Sequence, residues 1–236
     1  MTTPLPSTAS PANIHTGGRE VSVSMLRDWI KCRRYFYFRH VFAWPPGERG
    51  IEPKFPIPRK NPLARYAQPL GSAFHAALEA WRRSDIEGGN YDRDAAMAAA
   101  RANLASQHDR FQSDDDYAVV LAELEDLTLR YCAKWKDEYP DVRVAIRDGE
   151  PMIEKLFEIP LGDTGYIINV RPDALVYAHG YLAAHETKTA SAQRVWDTWA
   201  ELENPPQTLA EMYVLRMSGE PVAGVYGDIA VKAGTR

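Results

Sequence analysis

Between residues 113 and 138, Tyr117, Val120, Leu121, Leu124, Leu127, Tyr131 and Trp135 recur at steps of three and four. At 3.6 residues per turn such a series lies on one face, so the spacing predicts a long amphipathic helix. The stretch "LGSAFHAALEAWRR" from Leu70 carries a second stripe, Phe74, Leu78 and Trp81. His75 and Glu79, four apart, share a face at its margin. Residues 92–107 read as a further helix. Residues 22–40 read as another, with Ser24 as its cap and Met25, Trp29, Cys32 and Phe36 at helical spacing. Residues 44–70 are rich in Pro and Arg without periodicity and read as a long loop.

After Pro140 the period shortens to two. "MIEKLFEIPL", "YIINVRPDALVYA" and "YLAAHETKTA" alternate and carry β-branched and aromatic residues, so they read as three strands. His179-Gly180 is the turn between the second and third. A helix near 193–203 follows, and Pro205-Pro206 opens another that stops at Gly219. "VAGVYGDIAVK" is a last strand. A helical N-terminal half followed by β-β-β-α-α-β is an α/β layer fold with a mixed sheet. The expected organisation is a disordered tail over 1–20 and one domain over 21–236. That domain divides into a helical part over 21–139 and an α/β core over 140–236.

Composition adds less than charge does. The chain carries a net charge of -4, but residues 1–70 hold 11 Lys/Arg against 4 Asp/Glu. Arg33, Arg34 and Arg39 are interleaved with Tyr35, Phe36, Tyr37 and Phe38, so this basic segment either contacts a polyanion or is a solvated face. No apolar run is long enough to cross a bilayer, and the first residues lack the apolar core of a secretory signal. Cys32 and Cys132 form neither a disulfide framework nor a paired-cysteine metal site. These features suit a cytoplasmic protein without a membrane partner.

Three charges stand out against the strand pattern. Glu186 and Lys188 are two apart and share a strand face. The return at His179-Gly180 brings Asp173, expected on the second strand, close to them. Two adjacent carboxylates repel unless a cation separates them, and oxygen donors with open positions suit Mg²⁺ or Mn²⁺. The same residues also fit an ordinary ion pair at a sheet end.

"RPD", twelve residues and "ETK" resemble the signature of the PD-(D/E)XK nuclease superfamily, with Pro172-Asp173 and Glu186-Thr187-Lys188. Three further stretches resemble its RecB-like exonuclease branch: "SVSMLRDWIKCRRYFYF", "GSAFHAALEAW" with Gly71, His75, Leu78 and Glu79, and "PPQTLAEMYVL" with Gln207. The resemblance implies a restriction-endonuclease-like core, a mixed central sheet flanked by helices. It implies that Asp173, Glu186 and the Thr187 carbonyl bind the metal, with His75 as an additional ligand that favours Mn²⁺. Lys188 would position the attacking water. Gln207, at a helix start, would reach a phosphate or Lys188. Glu79 is a weaker candidate, to orient His75 or bind a second metal.

Two departures qualify the match. The family's tyrosine four residues after the glutamine is Glu211 here, which leaves Tyr213 as a weak substitute. An iron–sulfur cluster of one N-terminal and three C-terminal cysteines cannot form within this chain, because no cysteine follows Cys132. The implied activity is metal-dependent DNA exonuclease action in recombination, repair or phage DNA processing, in the cytoplasm of a bacterial or phage-infected cell. An endonuclease, or a nucleic-acid-binding protein that keeps the fold without turnover, are the alternatives. No G-x-x-x-x-G-K-[ST] loop is present, so unwinding would need a helicase or a strand-annealing recombination protein as partner.

Overall fold

In a computed structural model the structure is described for residues 19–31, 33, 62–88, 91–138, 141–203 and 206–233. Strand β1 (Arg19–Ser22) leads directly into α1 (Val23–Lys31). β1 begins at Arg19, inside the stretch read as tail. The helix cap is Ser22, not Ser24: the Ser22 hydroxyl accepts the Met25 N–H at 3.3 Å. On α1 Asp28 is buried while Trp29 is 43% exposed, so the expected apolar stripe through Trp29 is not the buried face. Cys32, Arg34, Arg39, the aromatics Tyr35 to Phe38, the first 18 residues and most of the 44–70 loop lie outside the described residues.

The helical layer consists of α2 (Pro62–Arg65), α3 (Ala67–Gly88), α4 (Arg93–Ala105) and α5 (Asp114–Glu138). Helix thus replaces the end of the expected loop from Pro62 onward. Asp92 caps α4, its carboxylate accepting from the N–H groups of Asp94 and Ala95. The stripes of α3 and α5 meet as expected: Phe74, Leu78, Trp81, Val120, Leu124 and Leu127 are all at most 1% exposed. Trp81 stacks on Tyr91 at 4.2 Å and meets Tyr131 and Trp135 edge-on.

Among the described residues the strands form three sheets. β2 (Arg143–Val144), β7 (Ala174–Ala178), β8 (Tyr181–Ser191) and β9 (Gly224–Lys232) make the main sheet in the order β2-β7-β8-β9. β8 pairs antiparallel with β7 and parallel with β9. β1, β6 (Tyr166–Val170) and β5 (Phe157–Pro160) make a second sheet, and β3 (Ile146–Arg147) and β4 (Glu150–Pro151) a short hairpin. Helices α6 (Val195–Glu203) and α7 (Pro206–Met217) connect β8 to β9. His179 and Gly180, at φ 51° and 82°, close the β7–β8 hairpin as its sequence foretold.

The stretch read as one strand from Tyr166 to Ala178 is two, in different sheets. Pro172 supplies no backbone N–H for a ladder, and the chain bends over Arg171 to Asp173. On β7, Ala174, Val176 and Ala178 join the core under α3 and α5. Leu175 joins a second core with Phe157, Ile159, Ile168, Val214 and Leu215. The main sheet is therefore covered on both faces, which explains why β7 and the first four residues of β8 are continuously apolar. This is the mixed α/β arrangement, with a helical N-terminal half, of a restriction-endonuclease-like core. Among the described residues no helix is long and apolar enough to cross a membrane.

Candidate functional site

Side chains on β8 alternate between the two cores: Leu182 and Ala184 enter the second, Ala183 the first. Continued, the alternation turns Glu186 and Lys188 toward α7, and His185 and Thr187 toward the helical layer. The contacts agree. Gln207 on α7 donates from Nε2 to Glu186 Oε1 at 3.0 Å, and Lys188 Nζ forms an ion pair with the same oxygen. Arg82 on α3 donates to His185 Nδ1 at 2.7 Å and to Thr187 Oγ1 at 3.1 Å.

Asp173 joins these two groups. The pairing of β7 with β8 ends at Ala174 and His185. Asp173, in the bend before β7 and not on a strand, takes the next place: its Oδ2 accepts the Thr187 N–H at 2.7 Å. Its Oδ1 lies 3.2 Å from His75 Nδ1 on α3. Gly71 is not needed for this approach, since a Cβ there would sit 3.8 Å from Thr189 Oγ1, an ordinary contact.

Glu154 completes the neighbourhood, and sequence reasoning passed over it. It falls within "MIEKLFEIPL", but only Phe157–Pro160 of that stretch is strand, and Glu154 has φ 49°. Its N–H donates to the Asp173 carbonyl at 3.2 Å. One ligand atom from each of His75, Glu154 and Asp173 lies within 4.8 Å of the others. Donors around a single Mg²⁺ or Mn²⁺ at about 2.1–2.3 Å are separated by up to about twice that distance, so this donor set fits such an ion with small adjustment.

The electrostatics follow from burial and these contacts. Burial alone would raise the Asp173 carboxyl, but the His75 hydrogen bond and charge, Arg82 and the Thr187 N–H bring it down to about 2. For His75 burial works against the charged form, and the hydrogen bond and charge of Asp173 outweigh it and raise the imidazole. Glu186 is raised by burial and then by Asp173. Glu154 is pushed up to about 7 by burial and then by Asp173, and Glu211 to about 7 by burial and then by Glu186. Burial of Lys188 is more than offset by Glu186, so its pKa is raised and it stays an ammonium. His185 is wholly buried and held neutral by burial and by the Arg82 cation.

The structure thus brings together His75, Asp173, Glu186, Thr187, Lys188 and Gln207. The remaining candidates have other partners, although Glu79 stays near enough to Glu154 to help raise its carboxyl. The Glu79 carboxylate accepts from Arg83 at 2.9 Å instead of orienting His75. Tyr213 is half exposed, while Glu211 is 3% exposed and accepts from Gln207 Nε2 at 2.9 Å. The Gln207 nitrogen thus meets two carboxylates, Glu186 and Glu211. Arg33 is exposed, its guanidinium 5.3 Å from the Trp29 ring centroid. Arg34 and Arg39 lie outside the described residues. Glu211 was findable, being one turn from Gln207. Arg82 was not, because beside Trp81 and Arg83 it reads as an exposed cation.

A family model, that of the PD-(D/E)XK nuclease superfamily, matches residues 20–233. No curated protein matches the chain, and no solved structure does.

Proposed function

Because the chain belongs to the PD-(D/E)XK nuclease superfamily, we propose that this divalent-metal-dependent phosphodiester hydrolase is a DNA exonuclease of the RecB-like branch. The observation that carries the reading is the 3.2 Å contact between His75 and Asp173. It joins the helical half to the catalytic strands, as the branch's histidine requires. Asp173, Glu186, the Thr187 carbonyl and His75 hold the ion.

A bound Mg²⁺ or Mn²⁺ supplies Lewis acidity toward a phosphoryl oxygen and makes a water more acidic. The chain's own residues do the rest. Asp173, fixed by Thr187 N–H and His75, presents its carboxylate in one orientation. His75 must be neutral to bind metal, so its raised pKa sets protons in competition with the ion. Lys188 is held over the site by Glu186 and can orient the attacking water or meet the charge that builds on the phosphate. Gln207 fixes the Glu186 carboxylate and is itself fixed by Glu211. Arg33, Arg34 and Arg39 contact DNA phosphates. The enzyme works in the cytoplasm in recombination, repair or phage DNA processing, with a helicase or strand-annealing protein to open duplexes.

Digestion of 5′- and 3′-labelled linear DNA and of closed circular DNA tests this directly. Linear DNA should shorten from its ends with Mg²⁺ or Mn²⁺, circles should persist, and excess chelator and Glu186→Ala should each stop the reaction. Cleavage of circles would make the protein an endonuclease. Undiminished cleavage in chelator would refute the metal mechanism. Tight DNA binding without turnover would favour the non-catalytic alternative.

A further inference from the structure

We propose that Glu154 is a metal-ligating residue of this centre, on the same cation as His75 and Asp173. The inference rests on the metal-dependent reading above and goes beyond it, since neither the strand signature nor the helix motif contains this residue.

Two observations carry it. The first is convergence. One ligand atom each from Glu154, His75 and Asp173 lies within 4.8 Å of the others, and the three come from separate segments. Glu154 is held there. Met152 and Ile153 before it are 2% and 3% exposed and sit in the two cores. Ile153 bridges to Ala174, and the Glu154 N–H is bonded to the Asp173 carbonyl. The carboxylate is thus delivered beside Asp173 by backbone that cannot drift from it.

The second is what the neighbouring carboxylate already meets. Glu186 has a counter-charge in Lys188 and a donor in Gln207. A set built from Asp173 and Glu186 alone would compete with Lys188 for Glu186, whereas Glu154 brings a second carboxylate to the His75–Asp173 pair without that competition.

The deciding variant is Glu154→Gln, which keeps shape and removes charge. Mn²⁺ binding is measured by calorimetry and by the loss of free-ion paramagnetic resonance, with melting temperature followed in chelator and in Mn²⁺. Glu154→Gln should weaken Mn²⁺ binding at least tenfold and shrink the Mn²⁺-induced rise in melting temperature. Its metal-free melting temperature should hold or rise, because one of two neighbouring carboxylate charges is gone. A variant that binds Mn²⁺ like wild type would overturn the assignment. So would one whose metal-free melting temperature falls while its Mn²⁺-induced rise is unchanged, the mark of a purely structural residue. Asp173→Asn is the reference: if it binds Mn²⁺ like wild type, or if wild type binds none, the metal-centre reading itself fails. Failure of Glu154→Gln alone removes only this ligand.

Discussion

Replacing Asp173 by Asn in metal-free protein isolates the charge at the middle of the site. The amide keeps the shape, and its oxygen can still accept the Thr187 N–H. What disappears is the anion that His75, Arg82 and that N–H stabilise. Their combined effect holds the Asp173 carboxyl at about 2 against an ordinary 3.8. At about 1.4 kcal/mol per unit, this corresponds to a contribution on the order of 2.5 kcal/mol at neutral pH. Asp173 is 7% exposed, so solvent screens little of it. One effect opposes the loss. Removing the charge relieves Glu154 and Glu186, each raised in part by Asp173. That relief subtracts from the loss, and the variant should lose about 2 kcal/mol at pH 7. For a chain of this length that is roughly 4–8 °C in melting temperature.

The sign of the pH dependence is fixed by the direction of the shift. A depressed carboxyl stabilises the fold above its unfolded pKa and ceases to do so as the pH falls through the folded one. The gap between wild type and Asp173→Asn should be full above about pH 5, near half at about pH 3 and almost closed near pH 2. Denaturant unfolding in chelator across this range measures it. Glutamate side-chain NMR provides a second check, since the Glu154 pKa should fall below about 7 in the variant while burial keeps it above its ordinary value. A variant as stable as wild type at pH 7, or a gap that does not change with pH, would refute the reasoning.

His75→Ala should leave the fold intact and weaken Mn²⁺ more than Mg²⁺ activation, because nitrogen ligation favours the softer ion; overlaid metal titrations would place His75 outside the centre. In wild type the raised His75 pKa makes protons compete with metal, so Mn²⁺ affinity measured by calorimetry should fall as the pH drops through that pKa. Replacing Arg33, Arg34 and Arg39 together should weaken DNA binding and reduce the slope of log affinity against log salt by up to about 3; an unchanged slope would return them to the solvated face.

The parts of this protein legible in its sequence are those governed by local periodicity. The α3 and α5 stripes, the alternation through Glu186 and Lys188, and the His179-Gly180 turn each obey a rule that spans a few residues. The site's remainder is assembled by tertiary contact. Asp173 was placed on a strand because its flanks alternate, but Pro172 outweighs that pattern. Glu154 has a left-handed backbone in an irregular loop, and no spacing marks such a residue. Arg82 occupies a position where a cation is ordinarily solvated, and only its neighbours on β8 explain its burial. Glu211 was read as the absence of a tyrosine, although four residues from Gln207 is one helical turn.

Asp173 occupies the rung at which β8 parts from β7. Its carboxylate answers a backbone N–H that another strand would otherwise have paired, so the last hydrogen bond of the hairpin ladder is made by a side chain. The sheet and the centre therefore share this bond, and strain in one is felt in the other. A cation that draws Asp173 toward it tugs on the Thr187 amide, and fraying of the β7–β8 hairpin loosens the carboxylate. The Thr187 N–H is in this sense a built-in gauge: one amide whose chemical shift and solvent exchange would register, from inside the sheet, the occupancy of the proposed metal site at its edge.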